Sequence, residues 1–191
     1  MIPAALLVAG PTASGKSALA LDLAERLGGA TGLEPVIINA DSMQVYAELR
    51  VLTARPTPAD EARVPHRLYG IRPAAQAGSA AWWRGEALAA VREVLQAVRL
   101  PIVTGGTGLY FAALTQGLAD IPDPGPQARA EARSLLAEIG APQLHARLAA
   151  ADPATAARLS PNASQRVARA WEVWRGTGTG LAAWQDRLGD P

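Results

Sequence analysis

The 191-residue chain has no cysteine, a single lysine, no long hydrophobic run and almost no net charge. Without cysteine there is no disulfide framework and no thiolate nucleophile, and that absence leaves the compartment open. A net charge of +1 sets up no global field for a polyanion, so any nucleic-acid contact has to come from a local patch. The apolar opening from Ile2 to Val8 lacks a basic flank and is too short for a signal peptide or a membrane span. The expectation is a cytoplasmic protein with no membrane contact. At 49% hydrophobic and 18% charged residues the chain is too apolar for disorder. Its length suits one α/β domain, or one domain with a smaller insertion.

The scarcity of lysine is informative. Of 18 basic residues only Lys16 is lysine; the other 17 are arginine. A compact ammonium on a flexible stem reaches into a cradle of phosphate oxygens where a planar guanidinium does not. Lys16 stands in Gly10-Pro11-Thr12-Ala13-Ser14-Gly15-Lys16-Ser17, a match to G-x-x-x-x-G-K-[ST]. Ahead of it, Ala4 to Ala9 suits a buried parallel strand; behind it, Leu19, Leu23 and Leu27 follow a helical period until Gly28-Gly29. In that setting the glycines let backbone N–H groups turn inward toward an anion at the positive end of a helix. Lys16 would neutralise phosphate charge, and the Ser17 hydroxyl is the candidate ligand for a bridging Mg²⁺. The motif alone does not say what carries the phosphate, ATP included.

Two more strand–turn units follow. Val36 to Asn39 reads as a second buried strand leading to Asp41-Ser42-Met43-Gln44-Val45-Tyr46. Leu100 to Thr104 reads as a third, running through Gly105-Gly106-Thr107-Gly108 into a helix from Leu109 to Gln116. Between them Ser79 is placed to cap a long helix whose apolar stripe is Trp83, Leu88, Val91, Leu95 and Val98. This alternation argues a parallel sheet with helices on its faces. Ligands of such sheets lie beyond the carboxyl ends of the strands, so Asp41 is expected in the same crevice as the Gly10–Ser17 loop. Its carboxylate can hold Mg²⁺, take a proton from a nucleophile, or cap the next helix. Thr107 is a helix cap or a catalytic hydroxyl.

The character changes after Ile121-Pro122-Asp123-Pro124-Gly125-Pro126. Only helical patterns remain, over Gln127–Ile139, Pro142–Ala151, Pro153–Leu159, Asn162–Arg175 and Leu181–Leu188. The division expected is an α/β core over 1–120 and a helical subdomain over 121–191. In the fourth helix Asn162 and Gln165 have capping-box spacing, Arg166 and Arg169 share a face, and Val167, Trp171 and Trp174 form a separate apolar stripe. The arginine face is either a nucleic-acid contact or a solvated surface with an Arg169–Glu172 pair.

Taken together these segments resemble one family. The Gly10–Ser17 loop, Asp41–Tyr46, Pro65-His66-Arg67-Leu68, Gly105–Tyr110 and the stretch Asn162 to Val173 follow, in order and spacing, the tRNA dimethylallyltransferases. The resemblance implies a P-loop nucleotide-kinase-like parallel sheet with a helical insertion that binds dimethylallyl diphosphate where a kinase binds ATP. It implies a monomer that transfers the dimethylallyl group to N6 of the adenosine 3′-adjacent to the anticodon, with Mg²⁺ present and the tRNA anticodon stem-loop as partner. Asp41 becomes the general base, with Thr107 the second catalytic candidate. Gly10, Pro11, Thr12, Ala13, Ser14, Gly15, Lys16 and Ser17 hold the diphosphate. Ser42, Met43 and Gln44 line the pocket of a flipped adenine. Thr107 and Arg129 match tRNA-contacting positions, and Gln165, Arg166, Val167, Ala168 and Arg169 form the other tRNA contact.

Two departures stand out. Leu52 and Arg55 replace the family's Gly and Lys, and Leu52 disfavours a positive-φ turn. The family pattern also continues for about a hundred residues past Pro191, which sets against full activity the reading of an inactive tRNA-binding fragment. A small-molecule P-loop kinase and an adenylate isopentenyltransferase are the other rivals. The Gly105–Tyr110 motif argues against the first, and the arginine helix against the second.

Overall fold

The computed structural model describes residues 5–187. The expectations that reach Ile2, Ala4, Leu188 and the Asp190-Pro191 end lie outside the described residues. The chain divides into two units, one up to Gln116 and one from Gly117 onward.

The first unit opens with β1 (Leu6–Ala9), the Gly10–Gly15 loop and α1 (Lys16–Thr31), followed by β2 (Pro35–Asn39). A single 3-10 turn (Ala47–Leu49), a short α2 (Pro58–Arg63) and the two-residue β3 (His66–Arg67) come next, none of them signalled by hydrophobic period. α3 (Ala80–Gln96), β4 (Leu100–Gly105) and α4 (Gly108–Gln116) complete the unit. The four strands are parallel in the order β1-β4-β2-β3. Alternate residues serve opposite faces, as a parallel sheet covered on both sides requires. Ile37 and Ile102 join Ala20, Leu21 and Ala24 of α1, while Val36, Ile38 and Val103 join Trp83, Ala87 and Val94 of α3 and Tyr110 of α4.

Two helical faces differ from the pattern of large apolar residues. α1 turns Ala20, Leu21 and Ala24 inward, leaves Leu19 half exposed, and runs through Gly28-Gly29 to a left-handed Gly32 cap. α3 is capped by Ser79 as expected, but seats Trp83, Ala87, Ala90 and Val94, with Leu95 and Val98 at the surface. In both helices alanines form much of the contact face, so the expected stripes are met only in part: Leu23, Leu27, Trp83 and Val91 pack on the core, while Leu19, Leu95 and Val98 do not.

In the second unit, α5 (Gly125–Ala151) is interrupted at Gly140, whose φ of 76° and ψ of 168° are not helical, two residues before Pro142. α6 (Pro153–Ala156), α7 (Ser164–Thr177) and α8 (Leu181–Gln185) follow. Leu144, Leu148, Val167, Ala170, Trp171, Val173 and Leu181 make the core. The Asn162–Gln165 capping box does not form: the helix begins after Ala163, without a side-chain cap, and the Asn162 carbonyl accepts from Ser164 N–H. Gly176 packs so closely on Pro124 that a Cβ would stand 2.2 Å from its carbonyl oxygen.

Val98 closes α3 in the left-handed conformation, at φ 57°, with its side chain 71% exposed. That geometry costs a β-branched residue about 1–2 kcal/mol, and glycine gives back part of the gain through the unfolded state. Val98→Gly is expected to stabilise the first unit by about 0.5–1 kcal/mol, read in urea unfolding; a loss of stability would show that Val98 packs in solution. A second expectation concerns acid. Burial holds the His66 imidazole below its ordinary range, against an opposing hydrogen bond to the Val64 carbonyl. The unfolded chain therefore takes the proton first, and stability falls as pH drops through about 6.5. His66→Asn should flatten that decline.

Candidate functional site

The chain leaves β1 at Gly10, whose N–H donates to the Gly105 carbonyl at 3.3 Å. Ala13 and Gly15 both turn left-handed, at φ 62° and 79°, which curls the loop and aims its N–H groups ahead of α1. Glycine takes that conformation without penalty; Ala13 bears strain of about 1–2 kcal/mol. Lys16 Nζ donates to the Pro11 carbonyl at 3.0 Å, so the ammonium folds over its own loop. A cavity of about 270 Å³ is lined by residues 12–18 together with Asp41, Gln44, Thr53 and Ala54. The loop and Asp41, separate in sequence, thus face one space.

Asp41 is held at three points. The buried Asn39 side chain grips its backbone, accepting from Asp41 N–H through Oδ1 at 2.9 Å and donating from Nδ2 to the Asp41 carbonyl at 3.0 Å. The same Nδ2 donates to the Leu68 carbonyl at 3.1 Å, and the Asn39 carbonyl takes the Trp83 indole N–H at 2.9 Å. The third hold is on the carboxylate: Oδ1 accepts from Met43 N–H at 2.9 Å, and no hydrogen bond engages Oδ2 among the described residues. Asp41 thus caps its own turn with one oxygen and leaves the other without a hydrogen bond among the described residues.

Thr107 works beside it. Its Oγ1 accepts from Ser42 N–H at 2.9 Å, and its own N–H donates to the Ala40 carbonyl at 3.2 Å. Of the adenine-pocket candidates, Gln44 lines the cavity with its amide donating to the Thr53 carbonyl at 2.8 Å, and Met43 is 50% exposed. The positive φ near Leu52 falls instead on Ala54, at 49°. Arg55 packs against Gly70, where a Cβ would meet its guanidinium at 2.0 Å.

Ser17 also opens on a second recess of about 310 Å³, with Leu21, Ile37, His66, Tyr69 and Thr104. Burial lifts the Tyr69 hydroxyl well above its ordinary range, so it stays protonated. Thr104 Oγ1 is buried without a partner among the described residues. No cluster of three or more metal-ligating side chains gathers among the described residues. A lone hydroxyl facing the phosphate cradle fits Mg²⁺, which borrows phosphate oxygens and keeps its waters instead of requiring a protein cage.

In the second unit Arg129 pairs with Asp123 at 2.6 Å and Arg169 with Glu172 at 2.5 Å. The Gly125 N–H, with Arg129, holds the Asp123 carboxyl below its usual range. Gln165 and Arg166 are exposed, Ala168 is half-buried, and Val167 is buried in the helical core, so its side chain does not reach a ligand. No described helix is long and apolar enough to cross a membrane.

Sequence reasoning passed over Asn39. Its only signal was an amide at the end of an otherwise apolar strand. Asn39→Leu should strand the Leu68 carbonyl and the Asp41 N–H. The expected cost is about 1–3 kcal/mol in denaturant unfolding, with faster amide exchange at Asp41 to Met43. Unchanged exchange there would mean that Thr107 holds the turn alone.

Comparison with known proteins places this geometry. The family model described as IPP transferase matches residues 44–190, and one described as isopentenyl transferase matches residues 3–79. A tRNA dimethylallyltransferase of Granulibacter bethesdensis is 69% identical over 96% of this chain and 56% of its own length. One of Acidiphilium cryptum is 63% identical over 94% and 52%. The chain therefore spans about half the length of the curated relatives it matches. Among solved structures, a tRNA isopentenylpyrophosphate transferase from Bacillus halodurans is 34% identical, with a TM-score of 0.55 over 91% of this chain and 56% of that one. A eukaryotic dimethylallyltransferase acting on tRNA shares the fold at TM-score 0.73 and 24% identity, over 97% and 45%. The sheet is therefore that of the tRNA isopentenyltransferases, and the chain belongs to the IPP transferase family.

Proposed function

We propose that this chain supplies the donor site and the general base for transfer of a dimethylallyl group from its diphosphate to N6 of the adenosine 3′-adjacent to the anticodon of tRNA. The observation that carries the reading is the single cavity shared by the Gly10–Ser17 loop and Asp41. Diphosphate binds on the loop amides and Lys16, which leaves the Pro11 carbonyl to meet it. Ser17 would hold Mg²⁺, which when bound would supply neutralising charge to the leaving group. The adenine amine approaches the free Oδ2 of Asp41; the N–C1 bond forms, the C1–O bond breaks, and the amine proton passes to the carboxylate. Negative charge develops on the departing diphosphate, where the remaining loop N–H groups and the Lys16 ammonium would stabilise it.

The nucleic-acid side is assigned to the base-facing turn Ser42, Met43 and Gln44, and to Thr107, Arg129, Gln165, Arg166 and Arg169. Thr107 acts on the reaction through Ser42, by holding the turn. The Arg129–Asp123 pair is exposed on both sides and opens at little cost when a phosphate replaces the carboxylate; in the Arg169–Glu172 pair the carboxylate is only 16% exposed and the arginine 42%. A cytoplasmic monomer is proposed with this role.

Two substitutions separate binding from chemistry. Lys16→Ala should weaken inorganic diphosphate binding by about 1.5–3 kcal/mol in calorimetry. Asp41→Asn should leave that affinity nearly unchanged but cut single-turnover transfer from labelled dimethylallyl diphosphate to tRNA by on the order of 10²–10⁴. Transfer is measured with the chain joined to the remaining length of the Granulibacter relative, with AMP and ATP as competitors. Preferential labelling of AMP would overturn the RNA assignment, and normal turnover in Asp41→Asn would overturn the base.

A further inference from the structure

The two most exposed large apolar side chains among the described residues are neighbours, Val51 at 94% and Leu52 at 87%. Aliphatic side chains scattered singly over a surface are ordinary, whereas two in succession form an apolar patch. Hydrogen bonds define the turn that puts them in water. Thr53 gives its N–H and its Oγ1 to the Leu49 carbonyl, at 3.1 and 2.7 Å. Ala54 N–H donates to the Val51 carbonyl at 3.2 Å, and Arg55 N–H to the Arg50 carbonyl at 3.1 Å. The next two residues, Thr53 and Ala54, line the cavity that contains Asp41 and the Gly10–Ser17 loop. Gln44, from the Asp41 turn, donates through Nε2 to the Thr53 carbonyl at 2.8 Å, so the apolar pair adjoins the wall of that cavity. From Leu49 to Pro56 the chain carries two arginines and no acid. The acids nearest in sequence are engaged, Glu48 by the Ala74 N–H and Glu61 by Arg50, so the segment suits a polyanion.

We infer that Val51 and Leu52 form an apolar wedge that enters the gap left in the RNA stack when the target adenine turns into the cavity. The inference rests on the proposed approach of that base to Ser42, Met43 and Gln44. A base that leaves its stack uncovers the apolar faces of its two neighbours. Aliphatic side chains inserted there recover part of the lost stacking and disfavour the return of the base. Leu52 stands where the family pattern has glycine, and its φ is not left-handed, so this turn has no need of glycine and gains a side chain that reaches outward. A wedge differs from an ordinary contact in what it changes. A contact raises affinity alone, whereas a wedge also shifts the bound RNA from stacked to extruded.

The test uses an anticodon stem-loop RNA carrying 2-aminopurine at the position 3′-adjacent to the anticodon, a base that brightens when it leaves the stack. The RNA is titrated with the unmodified chain, with the double variant Val51→Ser, Leu52→Ser, and with Leu52→Met. The expected result is a rise in fluorescence with the unmodified chain and, at saturating protein, about half that rise or less in the double variant. Leu52→Met, which keeps an apolar reach, should retain the full rise. Circular dichroism melting and calorimetry with inorganic diphosphate show that the variants fold. An unchanged plateau in the double variant would overturn the wedge: with weaker binding the pair is a plain RNA contact, and with unchanged binding it packs on another protein segment. Either result leaves the RNA assignment standing. An unmodified chain that binds the RNA without any rise, or does not bind it, would overturn the proposed base approach, and the wedge with it.

Discussion

Where β2 and β4 end side by side, the chain leaves no room for a side chain at Gly105. Its backbone lies against Ala40; two hydrogen bonds cross this junction and a third ties the end of β1 to β4. Ala40 N–H donates to the Thr104 carbonyl at 2.7 Å, Thr107 N–H to the Ala40 carbonyl, and Gly10 N–H to the Gly105 carbonyl. This contact sets the separation between the phosphate loop, which leaves β1, and the Asp41 turn, which leaves β2. β4 lies between those strands and fixes both. Asn39 and Thr107 then lock the turn from its two sides, each taking a backbone group that has no other partner at a strand end. Buried amides of this kind are costly unless fully satisfied, and Asn39 is satisfied on both its oxygen and its nitrogen. The geometry that holds Asp41 at the mouth of the crevice is therefore the same geometry that ends the sheet.

Much of this arrangement was legible in sequence, and the reasons differ by element. The Gly10–Ser17 loop is a local turn between strand and helix that its glycines announce, and the rule about carboxyl strand ends placed Asp41 in the same crevice. The parallel order of strands followed from the alternation of strand, turn and helix. The inward faces of α1 and α3 emerged only in part, through Leu23, Leu27, Trp83 and Val91, because alanine contributes contact without contributing to a hydrophobic period. β3 and α2 escaped because a two-residue strand and a single helical turn carry no period at all. Asn39 was invisible for another reason. Its function is to bond backbone groups two and twenty-nine positions away, and the second of those is set by tertiary structure.

The helical unit makes the point in electrostatic terms. Capping-box spacing at Asn162 and Gln165 was a local signal, yet the chain around Ser160 to Ser164 forms its own backbone turns and starts the helix later. The arginine face offered two readings, a nucleic-acid contact or a solvated surface with an intrahelical pair. The free chain contains the Arg169–Glu172 pair, and this does not decide between them. Glu172 is mostly buried, with 16% of its side chain exposed, while Arg169 is 42% exposed, so the pair holds the arginine at the surface without covering it.

Backbone strain follows the same logic of location. Four non-glycine residues among those described adopt positive φ: Ala13, Ala54, Leu68 and Val98. Val98 is an ordinary helix terminus that happens to lack glycine. The other three belong to the crevice. Ala13 and Ala54 line its two walls, and Leu68 offers Asn39 the carbonyl that ties β3 to the Asp41 turn. Each costs about 1–2 kcal/mol, which no local preference returns. They persist because the surrounding hydrogen bonds overdetermine the backbone, as with Ala54 N–H on the Val51 carbonyl and Gln44 Nε2 on the Thr53 carbonyl. The strained backbone of the crevice is thus fixed by hydrogen bonds within the chain, and its one lysine is held in the same way, with the Lys16 ammonium donating to the Pro11 carbonyl.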